Sequence, residues 1–435
     1  MGFLQDPSQV MATEKMSTDT NSGLGHKRAN DVVFILNLIV PHLPMILVEN
    51  ERVATVVTSI STSVIGPTFR AKAFPDNVTK GILDLLQSVA KVAQTNKFWK
   101  KDLYDAFNDP KFFGTPLPLL RDSWLPILAQ WTHSDKDRLP ELLSRLSAPT
   151  TAGIMFGVGA ASARQEADRK TQLTLRRIAL LILGSPEDAF TPNIPSIMEK
   201  IVELLTATPA SSPSSITRAE VFVLLRALIL KTSFFHLASL WPTINSELTS
   251  SLSSLLPDAD NKEHYNNAGI VQACKLLDEL VVLNPDDFQL SEWLYISDTI
   301  DAVYKPAQTS YPTSLADEIS EVLQRTQTHA ASHTDVTALR PYRPRTHSLA
   351  NANSGSTATA AEPKRVLFLD PLIEALEKEE GAEVTVMARR ELVDRVVRPF
   401  LGGLAMGVFE ATYGGGDVDW EGVWESVVAD ARGFD

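Results

Sequence analysis

Apolar side chains recur along this chain at spacings of three and four, which places them on one stripe of a helix. Ile82, Leu85, Leu86, Val89 and Val92 share a face, and so do Ile194, Ile197, Met198, Ile201, Leu204 and Leu205. Val221, Leu224, Leu225 and Leu228 repeat the pattern, as do Ile270, Ala273, Cys274, Leu277 and Val281. Strict alternation, the mark of a half-buried strand, is nearly absent. Start signals agree. Pro75, Asp76 and Asn77 precede a helix at 78–93, Ser134 and Asp135 one near 136–146 with Pro140 early in it, and Thr191 and Pro192 one at 193–206. Such side chains accept bonds from the free amides of a first turn, and proline fits there.

Helix after helix joined by short connections gives antiparallel neighbours. With no close sequence repeat, the prediction is an all-α fold, an irregular HEAT-like or armadillo-like α-solenoid. No heptad runs far enough without a break for a coiled coil. Residues 1–28 read as a disordered N-terminus and 29–328 as the solenoid. Residues 329–363, rich in Ala, Ser, Thr, His, Asn and Pro, read as a disordered linker, because such a composition buries too little apolar surface to order itself. Beyond it, 364–435 reads as a small helical tail, with Trp420 and Trp424 on its last amphipathic helix and Gly414 to Gly416 as a hinge before it. Pro209 to Ser215 reads as a solvent loop.

Val32 to Val48, VVFILNLIVPHLPMILV, approaches a membrane span in hydropathy. It falls short of the roughly 20 residues a span needs, and Asn37, Pro41, His42 and Pro44 interrupt it. The expectation is a buried, kinked helix or helix pair.

Composition narrows the function. A net charge of −13 argues against nucleic acid, whose binders neutralise phosphates with a basic face. The single cysteine, Cys274, allows no internal disulfide and no Cys-based metal site, which suits a reducing compartment. The first thirty residues lack a signal-peptide pattern, and Asp6 breaks the myristoylation pattern begun by Gly2.

Catalytic and cofactor motifs are lacking: there is no GxxxxGK loop, no GxSxG elbow and no HExxH. Gly157 and Gly159 read as a connecting turn, His329 and His333 as solvated histidines despite their zinc-like spacing, and Asp286 and Asp287 as helix caps. Trp241 and Pro242 read as a core anchor at a helix kink. Ser348, three residues after Arg345, is a kinase-type motif of a kind common by chance. Two basic clusters stand out: Lys97, Lys100 and Lys101 beside Phe98 and Trp99, and Arg164, Arg169, Lys170, Arg176 and Arg177 at a helix start. They read either as anionic-lipid or partner contacts, or as a solvated helix face with ion pairs to Glu166 and Asp168.

Four strings carry a family resemblance: LTLRRIALLILGSPEDAF (Leu173 to Phe190), IPSIMEKIVELL (Ile194 to Leu205), VFVLLRALILKTSFFHLASLWPTINSEL (Val221 to Leu248) and ACKLLDELVVLNPDDFQLSEWLYISDTIDA (Ala273 to Ala302). In this order they resemble the carboxy-terminal region of the Dopey family of trafficking proteins, over roughly residues 30–305, with the tail beyond 330 expected to match poorly. Dopey proteins are far longer and carry an amino-terminal domain of their own, so functions held there do not come with the resemblance. It implies a non-enzymatic, peripheral scaffold on the cytoplasmic face of Golgi and endosome membranes. That scaffold works in endosome-to-Golgi retrieval and cell morphogenesis, with a Mon-type partner related to Arf exchange factors and with an aminophospholipid flippase. It implies no cofactor. The rival readings are a soluble helical-repeat adaptor without a membrane role and an enzyme with an unfamiliar site.

Overall fold

A computed structural model describes residues 30–92, 97–146, 160–206, 215–297, 313–330, 364–413 and 416–433. The expected disordered N-terminus at 1–28, the expected loop from Pro209 to Ser214, Gly157, Gly159, His333, Ser348, Gly414 and Gly415 lie outside the described residues, as does the side chain of His329. Of the expected linker at 329–363, residues 331–363 also lie outside them, whereas 329 and 330 end the helix Leu315–Ala330. The fold is all-α; among the described residues the strands are one parallel two-residue pair, β1 (Lys364–Arg365) with β2 (Asp417–Val418). The chain divides into two compact units, Met1–Lys136 and Asp137–Asp435.

In the first unit, α1 (30–39) runs into a 3-10 turn at Val40–His42 and a last helical turn at Leu43–Ile46. α2 (Asn50–Ile60) continues through a wide turn at Ser61–Ile65 into Gly66–Phe69. α3 (Lys80–Val92), α4 (Lys97–Asn108) and α5 (Leu125–Ser134) complete it. The expected stripe on α3 is buried over Ile82, Leu85, Leu86 and Val89. An aromatic core of Phe69, Phe74, Phe107, Phe112, Trp124 and Trp131 packs mostly edge to face, the arrangement the ring quadrupoles favour. Buried Asp102 on α4 accepts from Ser61 Oγ at 2.7 Å and from Arg70 Nη1 at 2.9 Å. Gly66 makes room for them, since a Cβ there would meet Asp102 Oδ1 at 2.8 Å.

The second unit opens with α6 (Arg138–Ser144) and is built on three long helices, α7 (Ala160–Gly184), α9 (Ser215–Lys231) and α11 (Asn267–Leu283). α9 packs against both α7 and α11. α8 (Ile194–Thr206) and α10 (Trp241–Ser253) flank them, and α12 (Leu315–Ala330) packs on α10. α13 (Leu369–Glu380), α14 (Arg398–Tyr413) and α15 (Trp420–Arg432) come from the segment read as a tail. They are part of the core: α13 and α14 pack on α11, and α15 crosses α7 and α9. In consequence α9 is buried at every position from Thr217 to Ile229, and α11 from Ala268 to Leu283 at all but Lys275.

Two local readings are corrected. Trp241 and Pro242 do not kink a helix; they begin α10, with Trp241 buried and proline in the first turn, where its missing N–H costs nothing. Asp286 and Asp287 are not caps: Pro285 holds the cap position of the short helix Asp286–Gln289, and the two carboxylates lie in its first turn, where they meet the helix dipole.

Candidate interaction surface

The larger correction concerns 32–48. The segment bends as expected, with Pro41 and Pro44 in the first turns of successive helical pieces, but it is not buried. α1 leans on α3 through Val33 and through Asn37, whose Nδ2 donates to Gly81 O at 2.8 Å. Val33 packs over Gly81, whose Cβ position lies at van der Waals distance, 3.4 Å, from Val33 Cγ1. Val40 and Leu43 also face inward. The rest of the surface is bare hydrocarbon: Phe34 is 66% exposed, Ile35 52%, Leu38 58%, Met45 82% and Val48 95%. α3 and the start of α2 shield part of this segment, and most of the side chains left outside are apolar as well. A groove of about 570 Å³ runs between α1 and α3, bordered by Val33, Phe34, Asn37, Gly81, Asp84 and Ser88. Patches of this kind mark contact sites.

The basic clusters divide. On α4, Lys97, Lys101 and Phe98 are exposed, whereas Lys100 lies 5.7 Å from the Trp99 ring centre and donates to Ser134 O at 3.4 Å, at the carboxy-terminal end of α5. On α7, Arg169 and Lys170 are exposed and Arg164 is half-buried, with Lys170 3.6 Å from Glu166. Arg176 and Arg177 are not part of that surface. Arg177 is buried, and Arg176 Nη2 sits 2.6 Å from Oε1 of buried Glu220 on α9. The cause is the apolar run that follows, Ile178 to Leu183, which draws the carboxy-terminal half of α7 into the core.

The strongest electrostatics lie in the helix seams. Arg226 on α9 is fully buried; its Nε donates to Glu279 at 2.9 Å, Nη1 to Gln272 at 3.0 Å and Nη2 to Ser426 at 2.9 Å. Lys275 lies 2.9 Å from Asp430 and 3.0 Å from Asp370. Oδ2 of Asp278 accepts from the N–H groups of Phe368 and Leu369, both at 2.9 Å, fixing the start of α13. Burial pushes Asp278 and Glu279 up to about 7, and Oε1 of Glu279 has no hydrogen-bond partner to offset its desolvation. A second seam joins Arg218 to Glu247 at 2.7 Å, with Tyr265 donating to the same Glu247 oxygen at 2.8 Å. Sequence reasoning missed Arg226. Its signal is a lone charge inside VFVLLRALIL, an ionisable group on a helix apolar on every side.

Among the described residues no helix is long and apolar enough to cross a membrane, and no group of three or more His, Cys, Asp or Glu residues is placed to hold a metal ion.

A family model described as DOP1 C-terminal matches residues 4–414. The chain belongs to the Dopey family. The match runs past residue 330 to 414, so the tail up to that point is Dopey sequence too, in keeping with the packing of α13 and α14 on α11. The chain is 41% identical to Protein dop1 of Emericella nidulans, over 99% of this chain and 21% of that protein. It is 29% identical to Protein DOP1 of Saccharomyces cerevisiae, over 62% of this chain and 15% of that protein. It is 25% identical to Protein DOP1B of Mus musculus, over 60% of this chain and 11% of that protein. The chain thus spans about a fifth or less of these Dopey relatives. No solved structure matches it.

Proposed function

We propose that this Dopey chain is a non-enzymatic helical scaffold in membrane trafficking. Its work is endosome-to-Golgi retrieval and the organisation of Golgi and endosome, on their cytoplasmic face. It acts by contact with a Mon-type partner related to Arf exchange factors, in company with an aminophospholipid flippase. Family membership supports the reading. The observation that carries it is the distribution of polar and apolar groups. Asp278, Glu279, Glu220 and Cys274, whose burial raises them, are all enclosed between packed helices. Large apolar side chains, by contrast, face outward together at 32–48. That is the inverse of an enzyme, in which perturbed titratable groups line an open pocket. It suits a protein that works through its surface.

Fluorescence localisation of the chain in cells with and without the Mon-type partner tests the reading. Golgi puncta that disperse on removal of the partner are expected. A diffuse signal in both cells would overturn recruitment by this region and favour the adaptor without a membrane role.

A further inference from the structure

Phe34, Ile35, Leu38, Met45, Ile46 and Val48 all stand exposed on the first helical layer of the first unit. In a stacked array each layer buries its apolar face against the next, and an end layer needs a polar outer face to stay soluble. α1 has no such face: Asp31 is its one charged residue. It therefore has the character of an inner layer. Nor does it suit a lipid surface, because interfacial helices carry a polar face rich in Lys and Arg. The charges along and beside the patch are acidic on balance: Asp31, Glu49, Glu51 and Asp84 stand against Lys80 and Arg52, and Arg52 is already paired with Glu49 at 2.8 Å. An anionic membrane would be repelled; a helix with an apolar stripe and basic flanks would be matched.

Resting on the helical-scaffold reading, we infer that this face is a stacking seam, and that its occupant is a helical layer from the amino-terminal side of a longer Dopey chain. The matching family region is the carboxy-terminal one, and in the Emericella nidulans relative it takes up 21% of the protein. The helix that fits is apolar on the stripe facing Phe34 and Leu38, and basic where it meets Glu51 and Asp84.

The lone cysteine makes the test clean. Cys274 is buried and burial pushes its thiol up, so in the native chain a maleimide would report only on an added Ile35→Cys. Labelling at position 35, read by peptide mass spectrometry, is compared between the chain alone and a chimera in which the chain replaces the matching region of the full-length fungal relative. The expected result is fast labelling of the chain alone and labelling slowed about tenfold or more in the chimera, as local protection gives. Leu38→Cys repeats the test if the first variant folds poorly by circular dichroism. Equal rates in both proteins would overturn the seam. So would protection of the isolated chain by neutral phosphatidylcholine vesicles, which names a membrane, or protection that grows with its own concentration, which names a second copy. Recruitment to Golgi can fail in cells while this result stands, because the labelling needs neither the Mon-type partner nor a membrane.

Discussion

Oδ2 of Asp430, near the end of α15, accepts a 2.5 Å hydrogen bond from Nη1 of Arg226 in α9, 204 residues earlier in the chain. The pair is buried and ties the last helix to the middle of the second unit. Removing one partner of a buried ionic network strands the others in low dielectric. Arg226→Met, which leaves Glu279 and Asp430 without their guanidinium, is expected to cost about 3–5 kcal/mol in urea unfolding. Adding Glu279→Gln and Asp430→Asn should recover part of that loss, since the stranded charges go with them. A single Arg226→Met that unfolds like the parent would show that the network contributes nothing.

Asp278 gives the second unit a pH response. Its ordinary value is 3.8, and burial raises it to about 7 in the folded chain. The folded state therefore favours the protonated carboxyl. The associated stability is fully present below about pH 4 and is lost as pH rises through about 7. Asp278→Asn keeps an oxygen for the Phe368 and Leu369 N–H groups and carries no charge. Its urea midpoint should fall less than the parent's between those two pH values. Parallel curves for the two proteins would rule out Asp278 as the source.

The second unit shows how far a linear pattern reaches. The stripe Ile270, Ala273, Cys274, Leu277 and Val281 marked α11 as a helix and named its buried side. It left the other side unassigned. The structure buries that side as well, under α13 and α14, which arrive from beyond residue 363. Helical periodicity reports which residues avoid water locally, and carries no term for a partner that distant in sequence. Arg226 and Asp430 are likewise ordinary charges when read singly, and acquire their role by meeting. The segment 32–48 errs the other way. Hydropathy announced burial, and what it recorded was a need for cover that α3 and the start of α2 meet only in part.

The two basic clusters should separate by stability. Lys97 and Lys101 are exposed, so Lys97→Glu with Lys101→Glu is expected to shift stability by no more than about 0.5 kcal/mol. Arg176→Glu sets a carboxylate against buried Glu220 and should cost about 3–5 kcal/mol, as loss of a buried pair does. Flotation on phosphatidylserine vesicles then tests α4 for lipid contact in a variant that still folds. The lipid reading predicts reduced flotation by the doubly reversed protein, and undiminished flotation would remove α4 from consideration.

Cys274 offers an internal clock for the second unit. It is enclosed on α11, burial raises its thiol, and nearby Asp278 raises it further. The thiolate is the reactive species, so a thiol reagent should stay silent toward the native protein and react only when α11 opens. Where closing outruns labelling, the rate follows the population of the open form. If the Arg226 network holds α15 and α11 together, Arg226→Met should speed labelling of Cys274 by about a hundredfold or more, the population change that some 3 kcal/mol implies. Lys97→Glu, in the other unit and exposed, serves as the comparison and should leave the rate where it was. A variant that loses stability in urea while Cys274 labels at the parent rate would place the opening elsewhere. The Arg226–Asp430 pair would then secure α15 without governing access to α11.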